Sequence, residues 1–526
     1  MRSRALLAGA VLATAVVSGG WLVERGLVGS RPSTTDRARM FNQVMQHIAR
    51  DYVDTLSDST IYTHAAEGLL GELHDPHTAY LSPKLYKSLT ERTEGKYAGI
   101  GANVDVRDAW PTVVQPLPGG PAMGAGIQAG DRITEVDGQP MHGKTNEEFQ
   151  KMLRGAPGST VGLTVERPGV ATALKFELTR REIHVGSVQH PTLLDASIGY
   201  VALTIFSDSS LVDLRRAIDS LRTAGMKTLI FDLRGNPGGL VAQGVGISDL
   251  FLDAHQRILT IRGRTPETTE SFDDPASQPY PNLPIVVLVD SNTASAAEIV
   301  AGALQDHDRA VLLGTTTYGK GSAQNIFQLS DGGAAKLTTA LWFTPSGRSI
   351  NKKRDFDDDD PAADSSAKNV RPKFKTDDGR TVLGGGGITP DVMYKSAVRP
   401  ASDTVFQRAL GKQIPQFSDA LTDYALSIKT SQSVTSQDFV VTPEMRAELL
   451  RRMRARGIKI DDATYVAATS LIDRVVGYEV ARYVFGDQAV FMRRLRDDAV
   501  MAKALVFARG ATSQKDLLDR ATEAAK

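Results

Sequence analysis

The chain has 526 residues, of which 41% are hydrophobic, and at roughly 100 to 200 residues per domain it can hold three or four domains. Lys plus Arg and Asp plus Glu number 61 each, so no net charge favours nucleic acid or an acidic partner. The absence of cysteine excludes disulfides, thiolate metal sites and a cysteine nucleophile.

The first thirty residues have the pattern of an export signal. Arg2 and Arg4 precede an uncharged apolar stretch from Ala5 to Val23, which is a basic segment followed by a hydrophobic one. As a helix this stretch would be about 28 Å long, close to the thickness of a bilayer core. Residues 1–30 are therefore predicted to be a signal peptide or an uncleaved membrane anchor, with the rest of the chain outside the cytoplasm.

Residues 34–95 are predicted to form a helical region. Its first helix carries apolar residues at helical spacing, namely Met40, Phe41, Val44, Met45, Ile48 and Tyr52, and the segment "HAAEGLLGEL" is a second apolar helix. The following "HDPHTAYLSP" contains Asp75, Pro76 and His77, which raise the question of a catalytic role. Asp before Pro with Thr and Ser around it is typical of turns, so a turn is the prediction.

Residues 97–182 change to short strands separated by glycines. The segment "YAGIGANVDV" is typical of a glycine-rich loop entering a strand, and "TNEEFQKMLRG" predicts a helix capped by Thr145 and Glu148. The segments "STVGLTVERPG" and "ALKFELTRREI" alternate as strands do. This unit resembles a PDZ domain, and "GPAMGAGIQAGDRITEVDGQPM" is the specific part of the match. The "GIGA" segment lacks the third glycine of a dinucleotide-binding loop.

A PDZ domain adds a peptide C-terminus as an extra strand to an open sheet edge and holds its carboxylate with backbone N–H groups. The resemblance assigns the carboxylate loop to Gly99, Ile100 and Gly101. The residues that either line the side-chain pocket or form part of the domain core are Phe149, Met152 and Leu153.

From about Gly199 the chain alternates strands and helices, as in a largely parallel sheet covered on its faces. Sites in such sheets gather at the carboxyl ends of strands. Two polar stretches occur there, "DLRGNPGG" and "SNTASAAEI". The second places Ser295 at a strand-to-helix turn, where a serine is either a nucleophile or an ordinary helix N-cap.

A nucleophilic serine needs a base, and Lys320 is the candidate. There is no GxSxG elbow, and His307 would lie about three turns down the same helix. Lys320 in "TTTYGKGSAQ" follows the next strand and so returns to the same sheet edge. A lysine amine is a base only when neutral, and burial favours the neutral form. Gln324 would face the same side of an extended segment and orient the amine without adding charge.

These motifs together resemble the carboxyl-terminal processing peptidases, which are exported or membrane-associated serine endopeptidases with a serine–lysine dyad. The resemblance covers about residues 37–395 and includes "DPHTAYLSP", the PDZ-like unit, "DLRGNPGGL", "SNTASAAEI", "YGKGSAQ" and "LTTALWFTPSGRSI". It implies an α/β multidomain fold, with a crotonase/Clp-like ββα peptidase core at 183–396, an inserted PDZ domain at 97–182, an N-terminal helical region and a C-terminal helical domain.

The resemblance also implies roles for individual residues. Ser295 would be the nucleophile, Lys320 the general base and Gln324 its orienting partner. The oxyanion hole would be formed by backbone N–H groups of Ala296 and of either Gly238 or Gly239, a choice that the sequence leaves open. Asp232 and Arg234 are expected to tie the glycine loop in place. The dyad requires no metal and no cofactor.

Two further segments complete the chain. Residues 351–380 are charged and poor in apolar residues, which predicts a disordered insertion. Its Asp run lacks the Gly and Glu spacing of a calcium loop. Residues 397–526 are predicted to be helical: Thr442 and Pro443 begin a helix that Gly457 can end. A later apolar stripe, either core or a surface for a second subunit, comprises Leu471, Ile472, Val475, Val476, Val480, Tyr483 and Val484.

The predicted function is that of a cell-envelope (periplasmic or extracytoplasmic) endopeptidase that captures unstructured, apolar C-termini of proteins in its PDZ domain and cleaves nearby through an acyl-enzyme. Its partners would be such C-termini, an adaptor protein or a second copy, and the membrane if the N-terminus is uncleaved, but not nucleic acid. The alternative is a catalytically silent peptide-binding scaffold. Burying a lysine is unfavourable, and a protein that only binds peptides has no need of it. A third possibility is an acyl-CoA enzyme built on a related, crotonase-like sheet. Such an enzyme would have no use for the PDZ unit or the dyad.

Overall fold

A computed structural model describes residues 33–195, 197–352, 371–395 and 400–524. These form two compact units, of which one comprises residues 33–83 with 325–338 and the other comprises the remainder. The predicted export signal at residues 1–30 lies outside the described residues. Within the described ranges, we find no helix with both the length and the apolar character needed to span a membrane.

The smaller unit contains the N-terminal helices α1 (Thr34–Asp51) and α2 (Asp58–Gly71) and the strand β1 (Ala79–Leu81). Ser33 and Ser57 cap the two helices. β1 pairs antiparallel with residues 334–336. The Asp75 carboxylate accepts hydrogen bonds from His77 N at 3.0 Å and Thr78 Oγ1 at 2.7 Å, which confirms the predicted turn. Met45 is buried, whereas the apolar stripe of α1 is otherwise largely exposed.

In the larger unit, helix α3 (Pro83–Glu94) leads into the predicted PDZ domain. Its elements are β2 (Lys96–Gly99), β3 (Ala102–Arg107), β4 (Trp110–Pro116), α4 (Pro121–Gly124), β5 (Arg132–Val136), β6 (Gln139–Pro140), α5 (Asn146–Leu153), β7 (Thr160–Glu166), β8 (Leu174–Thr179) and β9 (Arg181–His184). The antiparallel sheet has the order β3-β4-β5-β7-β8, with β6 beside β5. β2 pairs antiparallel with β9, so the two ends of the unit are joined.

The helix of this unit is capped as its sequence predicts. The Glu148 carboxylate accepts a hydrogen bond from Thr145 N at 2.8 Å, and Thr145 Oγ1 accepts one from Glu148 N at 3.3 Å. This reciprocal pair is a capping box. Phe149 and Leu153 on the same helix are buried in the core between the helix and the sheet.

The predicted peptidase core is built on a six-stranded sheet. Its elements are β10 (Val188–Leu194), β11 (Ile198–Leu203), α6 (Ser210–Thr223), β12 (Thr228–Asp232), α7 (Val241–Asp249), β15 (Ile285–Val289), α8 (Ala296–Asp306), β16 (Val311–Gly314) and β21 (Val392–Met393). The order is β10-β11-β12-β15-β16-β21, and every neighbouring pair except β10 and β11 is parallel. The apolar strands β12 and β15 are buried throughout, as the continuous hydrophobic runs predict.

Further strands surround this sheet: β13 (Arg257–Gly263), β14 (Thr269–Asp273), β17 (Ser322–Gln328), β18 (Ala334–Phe343), β19 (Lys373–Lys375) and β20 (Thr381–Leu383), with a short 3-10 helix at Pro266–Thr268. Residues 340–343 of β18 pair antiparallel with β13, which also pairs with β14. β17, which follows the Lys320 segment directly, pairs with β18.

The predicted disordered insertion is too long at its C-terminal side. Residues 353–370 lie outside the described residues, but β19 pairs with β20 across residues 373–383. Arg380 forms ion pairs with Asp308 and Asp391, each at 2.5 Å. Low hydrophobicity suggested disorder here, yet ion pairing to the rest of the fold orders residues 371–380.

The C-terminal helices are α9 (Ala401–Leu410), α10 (Ile414–Ser431), α11 (Pro443–Ala455), α12 (Asp462–Ala467), α13 (Thr469–Val480), α14 (Asp487–Arg496), α15 (Ala499–Ala508) and α16 (Gln514–Ala524). A 3-10 turn at Gly411–Gln413 precedes α10, and a π-helical turn at Ala481–Phe485 follows α13. Thr442 caps α11 as predicted. Ile472, Val476 and Val480 of the predicted apolar stripe are buried within this helical group, so they form part of its core.

Candidate active site

Ser295 lies at the turn between β15 and the buried helix α8. The residue is 8% exposed, and its backbone has φ 56° and ψ −118°, a positive-φ conformation that costs a residue other than glycine about 1–3 kcal/mol. Ser295 occupies the N-cap position of α8, and Glu298 N donates to the carbonyl oxygen of Ser295 at 2.8 Å. Strained backbone of this kind is concentrated at functional sites, which agrees with a chemical role for the hydroxyl beside any capping role.

The carboxylate of Glu298 also binds this end of the helix. Glu298 Oε2 accepts hydrogen bonds from Ser295 N and from Lys320 N, each at 2.9 Å. Its other oxygen accepts from Thr317 Oγ1 at 2.5 Å and from Gly319 N at 2.7 Å. Both distances end at the same oxygen atom. The amide nitrogens of Ser295 and Lys320 are therefore separated by at most twice 2.9 Å. Glu298 thus joins the serine turn to the lysine loop.

The Glu298 carboxyl group is fully buried, and this burial raises its pKa. Four donors to one side chain favour the charged form and oppose that effect. The sequence interpretation missed Glu298 as a site residue. The signal was present, because Ser295 followed by Glu298 has the serine-to-glutamate spacing of a capping box. The spacing does not reveal that the same carboxylate reaches the lysine loop.

The loop that carries Lys320 is held on several sides. Tyr318 N donates to Thr293 O at 3.0 Å, and Trp342 Nε1 donates to Lys320 O at 3.2 Å. Lys320 is half-buried. Gln324 follows in β17, and its Nε2 donates to Ser322 Oγ at 2.9 Å. The two predicted partners of the serine therefore lie on one segment that is anchored beside the serine turn.

The two glycines of "DLRGNPGG" face different neighbours. A Cβ at Gly238 would lie 2.7 Å from Ser295 Cβ and 2.9 Å from Ala296 N, whereas a Cβ at Gly239 would lie 2.1 Å from Phe206 O. Gly238, with φ 91°, is thus the glycine that packs directly against the serine turn. Its own N–H donates to Asn236 Oδ1 at 2.8 Å.

Hydrogen bonds from backbone N–H groups hold the glycine loop against the serine turn. Ala294 N donates to Asn236 O at 2.9 Å, and Gly235 N donates to Asp290 Oδ1 at 3.0 Å. Ala296 is the first residue of α8, and the N–H groups of a first helical turn have no acceptor within the helix. The three segments around Ser295 therefore form one connected structure at the carboxyl edge of the sheet.

A separate groove lies on the PDZ domain, between its helix and its first strands. This cavity has a volume of about 230 Å³. Four of the six residues predicted for peptide binding line it, namely Gly99, Ile100, Phe149 and Leu153. Met152 instead packs at the margin of the domain core, and Gly101 packs against Gly120, where its φ of 71° suits glycine. Tyr97 and Arg154, which the sequence interpretation did not select, also line the groove.

Comparison with known proteins identifies two families along the chain. Residues 197–359 match the model of peptidase family S41, and residues 112–167 match a PDZ domain. The chain is 37% identical over 322 residues to a carboxy-terminal-processing protease of Bartonella bacilliformis, covering 60% of this chain and 73% of that one.

It is also 34% identical over 349 residues to the carboxy-terminal processing protease CtpA of Bacillus subtilis, covering 65% and 74% of the two chains. Among solved structures, a photosystem II D1 C-terminal processing protease is 26% identical, with a TM-score of 0.36 over 71% of this chain and 97% of that one.

Proposed function

The chain belongs to the carboxy-terminal processing proteases of peptidase family S41 and is a serine-type peptidase, and on that premise we propose that it cleaves proteins near unstructured, apolar C-termini through an acyl-enzyme on Ser295. The observation that carries the proposal is the carboxylate of Glu298, which binds Ser295 N and Lys320 N through one oxygen atom. A nucleophile and an amine on adjacent, mutually anchored loops are the parts that a serine–lysine dyad requires.

In the proposed mechanism, neutral Lys320 Nζ accepts the proton of Ser295 Oγ as that oxygen attacks the scissile carbonyl carbon. The tetrahedral intermediate collapses when the C–N bond breaks, and the lysine donates its proton to the leaving amine. Water then attacks the acyl-enzyme with Lys320 again as base, which releases the new C-terminus and restores the serine. Gln324 is assigned the orientation of the amine.

We assign the oxyanion hole to the N–H of Ala296 together with Gly238. The contact of Gly238 with Ser295 Cβ and Ala296 N favours it over Gly239, which packs against Phe206. Since Gly238 N donates to Asn236, this assignment requires that hydrogen bond to be shared or released when substrate binds. Donors placed at the developing oxyanion stabilise charge that appears only in the transition state.

We assign substrate capture to the PDZ groove. The apolar side chains of Ile100, Phe149 and Leu153 line it, and they suit an apolar C-terminal residue. Arg154 also lines the groove and forms an ion pair with Glu91 at 2.5 Å. The backbone of β2 at Gly99 would receive the added peptide strand. This is the basis for proposing protein C-termini, rather than internal loops, as the substrate class.

We further propose that the chain works outside the cytoplasm, tethered to the membrane if its N-terminus is uncleaved. An adaptor protein that delivers substrates and association with a second copy stay predictions from the sequence. The basis for the proposed location is the sequence pattern of residues 1–30. A protease-protection assay on intact spheroplasts is expected to leave the peptidase domain accessible from outside, and full protection would contradict this location.

The test of the peptidase proposal compares the wild-type chain with Ser295→Ala and Lys320→Ala on an unfolded substrate that ends in apolar residues. We expect the products, identified by mass spectrometry, to disappear in both variants while binding of the apolar C-terminus persists. Binding without cleavage by the wild-type chain, with several substrates, would instead favour the peptide-binding scaffold.

A further inference from the structure

The last two helices cover one face of the peptidase sheet. Val500, Met501, Ala504 and Phe507 of α15 and Leu517 of α16 are buried against strands of that sheet in a single apolar cluster. Gln514 at the start of α16 accepts a hydrogen bond from Ile285 N at 2.8 Å, at the first residue of β15. A parallel sheet is stable only when both of its faces are covered, so these helices complete the peptidase core itself.

One residue of this C-terminal segment reaches the glycine loop. Asp498 is the N-cap of α15, and its Oδ1 accepts hydrogen bonds from Val500 N at 2.9 Å and Met501 N at 3.1 Å. Its other oxygen, Oδ2, lies 2.7 Å from Nη1 of Arg234. The side chains of Asp498 and Arg234 are 20% and 21% exposed, so water screens this ion pair only in part.

Arg234 stands at the start of the glycine loop, between two carboxylates. Its Nε and Nη2 donate to the two oxygens of Asp232 at 2.9 and 2.7 Å, and the remaining guanidinium nitrogen faces Asp498. Asp232 also accepts a hydrogen bond from Tyr200 OH at 2.9 Å. The guanidinium therefore has one anchor in the sheet and one in the C-terminal segment.

We propose that Asp498 is a positioning residue for the catalytic glycine loop, acting through Arg234, and that residues 498–524 belong to the same structural unit as the active site. Removing one anchor of the guanidinium loosens the first residue of the loop whose glycine packs against Ser295 and Ala296 N. Only the expected effect on kcat rests on the proposed function. The effect on how well the glycine loop is ordered can be measured in the folded chain whether or not the chain cleaves a substrate.

The perturbation is Asp498→Asn in the full chain. Asn is as good an N-cap as Asp, so the helix cap is kept while the charge facing Arg234 is lost. The matched control is Asp497→Asn, which makes the same charge change one residue away, where the carboxylate accepts a hydrogen bond from Tyr478 OH at 2.5 Å. Arg234→Gln and the double variant Arg234→Gln with Asp498→Asn complete a mutant cycle.

Hydrogen exchange of residues 234–240 is the first readout, and we expect it to accelerate in Asp498→Asn but not in Asp497→Asn. The second is cleavage of an unfolded substrate, for which we expect kcat to fall on the order of tenfold with KM unchanged, because the loop acts on the transition state. In the Arg234→Gln background, Asp498→Asn should have no further effect on kcat.

Unchanged exchange in Asp498→Asn would overturn the proposal, as would a change of equal size in Asp497→Asn. Faster exchange with unchanged kcat would overturn the catalytic role, and an undiminished effect in the Arg234→Gln background would overturn the route through Arg234. If the wild-type chain cleaves nothing, the proposed peptidase function fails, and the exchange measurement alone decides whether Asp498 holds the loop.

Discussion

Replacing Glu298 by Gln should separate the role of the buried carboxylate from the stability of the fold. The amide keeps the size of the side chain but has one acceptor oxygen, so it satisfies at most two of the four donors that Glu298 binds. Its NH2 group then faces either Ser295 N with Lys320 N, or Thr317 Oγ1 with Gly319 N. In the first orientation, the serine turn loses its attachment to the lysine loop. In the second, Ser295 N and Lys320 N stay bridged, but Thr317 and Gly319 in the lysine loop lose their acceptor.

The magnitude follows from the number of hydrogen bonds lost. A hydrogen bond to a charged group contributes about 1.5–3 kcal/mol, so two of them amount to roughly 3–6 kcal/mol of loop positioning. Burial raises the pKa of Glu298, which means that the neutral amide avoids part of the cost of burying charge, and this offsets some loss of stability. At 1.36 kcal/mol per tenfold change in rate, the lower figure corresponds to a fall in kcat of roughly 100-fold.

The assay measures kcat and KM for steady-state cleavage of an unfolded substrate, with thermal unfolding of each variant measured in parallel. We expect Glu298→Gln to lower kcat while KM and the binding of an apolar C-terminal peptide stay unchanged. Thr317→Ser, which keeps the donor hydroxyl to Glu298 Oε1, should remain near the wild type, whereas Thr317→Val should lose on the order of tenfold. A Glu298→Gln variant that turns over at the wild-type rate would refute the reasoning.

Three further changes have defined outcomes. Gly238→Ala places a Cβ 2.7 Å from Ser295 Cβ at a residue with φ 91°, so cleavage should fall by at least about 100-fold, and an active variant would contradict the packing. A substrate whose C-terminal residue is Asp should bind the PDZ groove at least about tenfold more weakly than one ending in Val, measured by fluorescence anisotropy; equal affinities would refute an apolar groove. The pKa of His190 is raised by hydrogen bonding to Asp487, so its stabilising charge is present below its ordinary pKa and is lost as the pH rises through the raised value. The melting temperature should therefore fall as the pH rises from about 6 to 8, and that slope should shrink in a His190→Gln variant.

The sequence predicts the family, the fold class and the capping of individual elements because these depend on local patterns. Thr145 and Glu148 form the capping box that their spacing indicates, and Ser295 lies at the strand-to-helix turn that the parallel sheet requires. Continuous apolar strands could be recognised without knowing their neighbours, since the two faces of a parallel sheet are both buried.

Contacts between distant segments could not be predicted in this way. The four donors to Glu298 come from two loops, and the ion pair of Arg234 with Asp498 joins residues far apart in the chain. The prediction of disorder was wrong around Arg380 because the charges of this segment have partners elsewhere in the fold. Arg380 pairs with Asp308 and Asp391, and these ion pairs order the segment. The composition of a segment gives the number of its charged residues but not the residues with which they form ion pairs.

The proposed dyad is tested most directly by covalent labelling of the serine. An alkyl fluorophosphonate forms an Oγ–P bond and releases fluoride only when the hydroxyl is activated as a nucleophile. The adduct is located by peptide mass spectrometry, and its rate of formation is measured for the wild-type chain and for Lys320→Ala. We predict an adduct on Ser295 that forms much more slowly in Lys320→Ala. An absent adduct on Ser295, or equal rates in the two proteins, would contradict the serine–lysine mechanism.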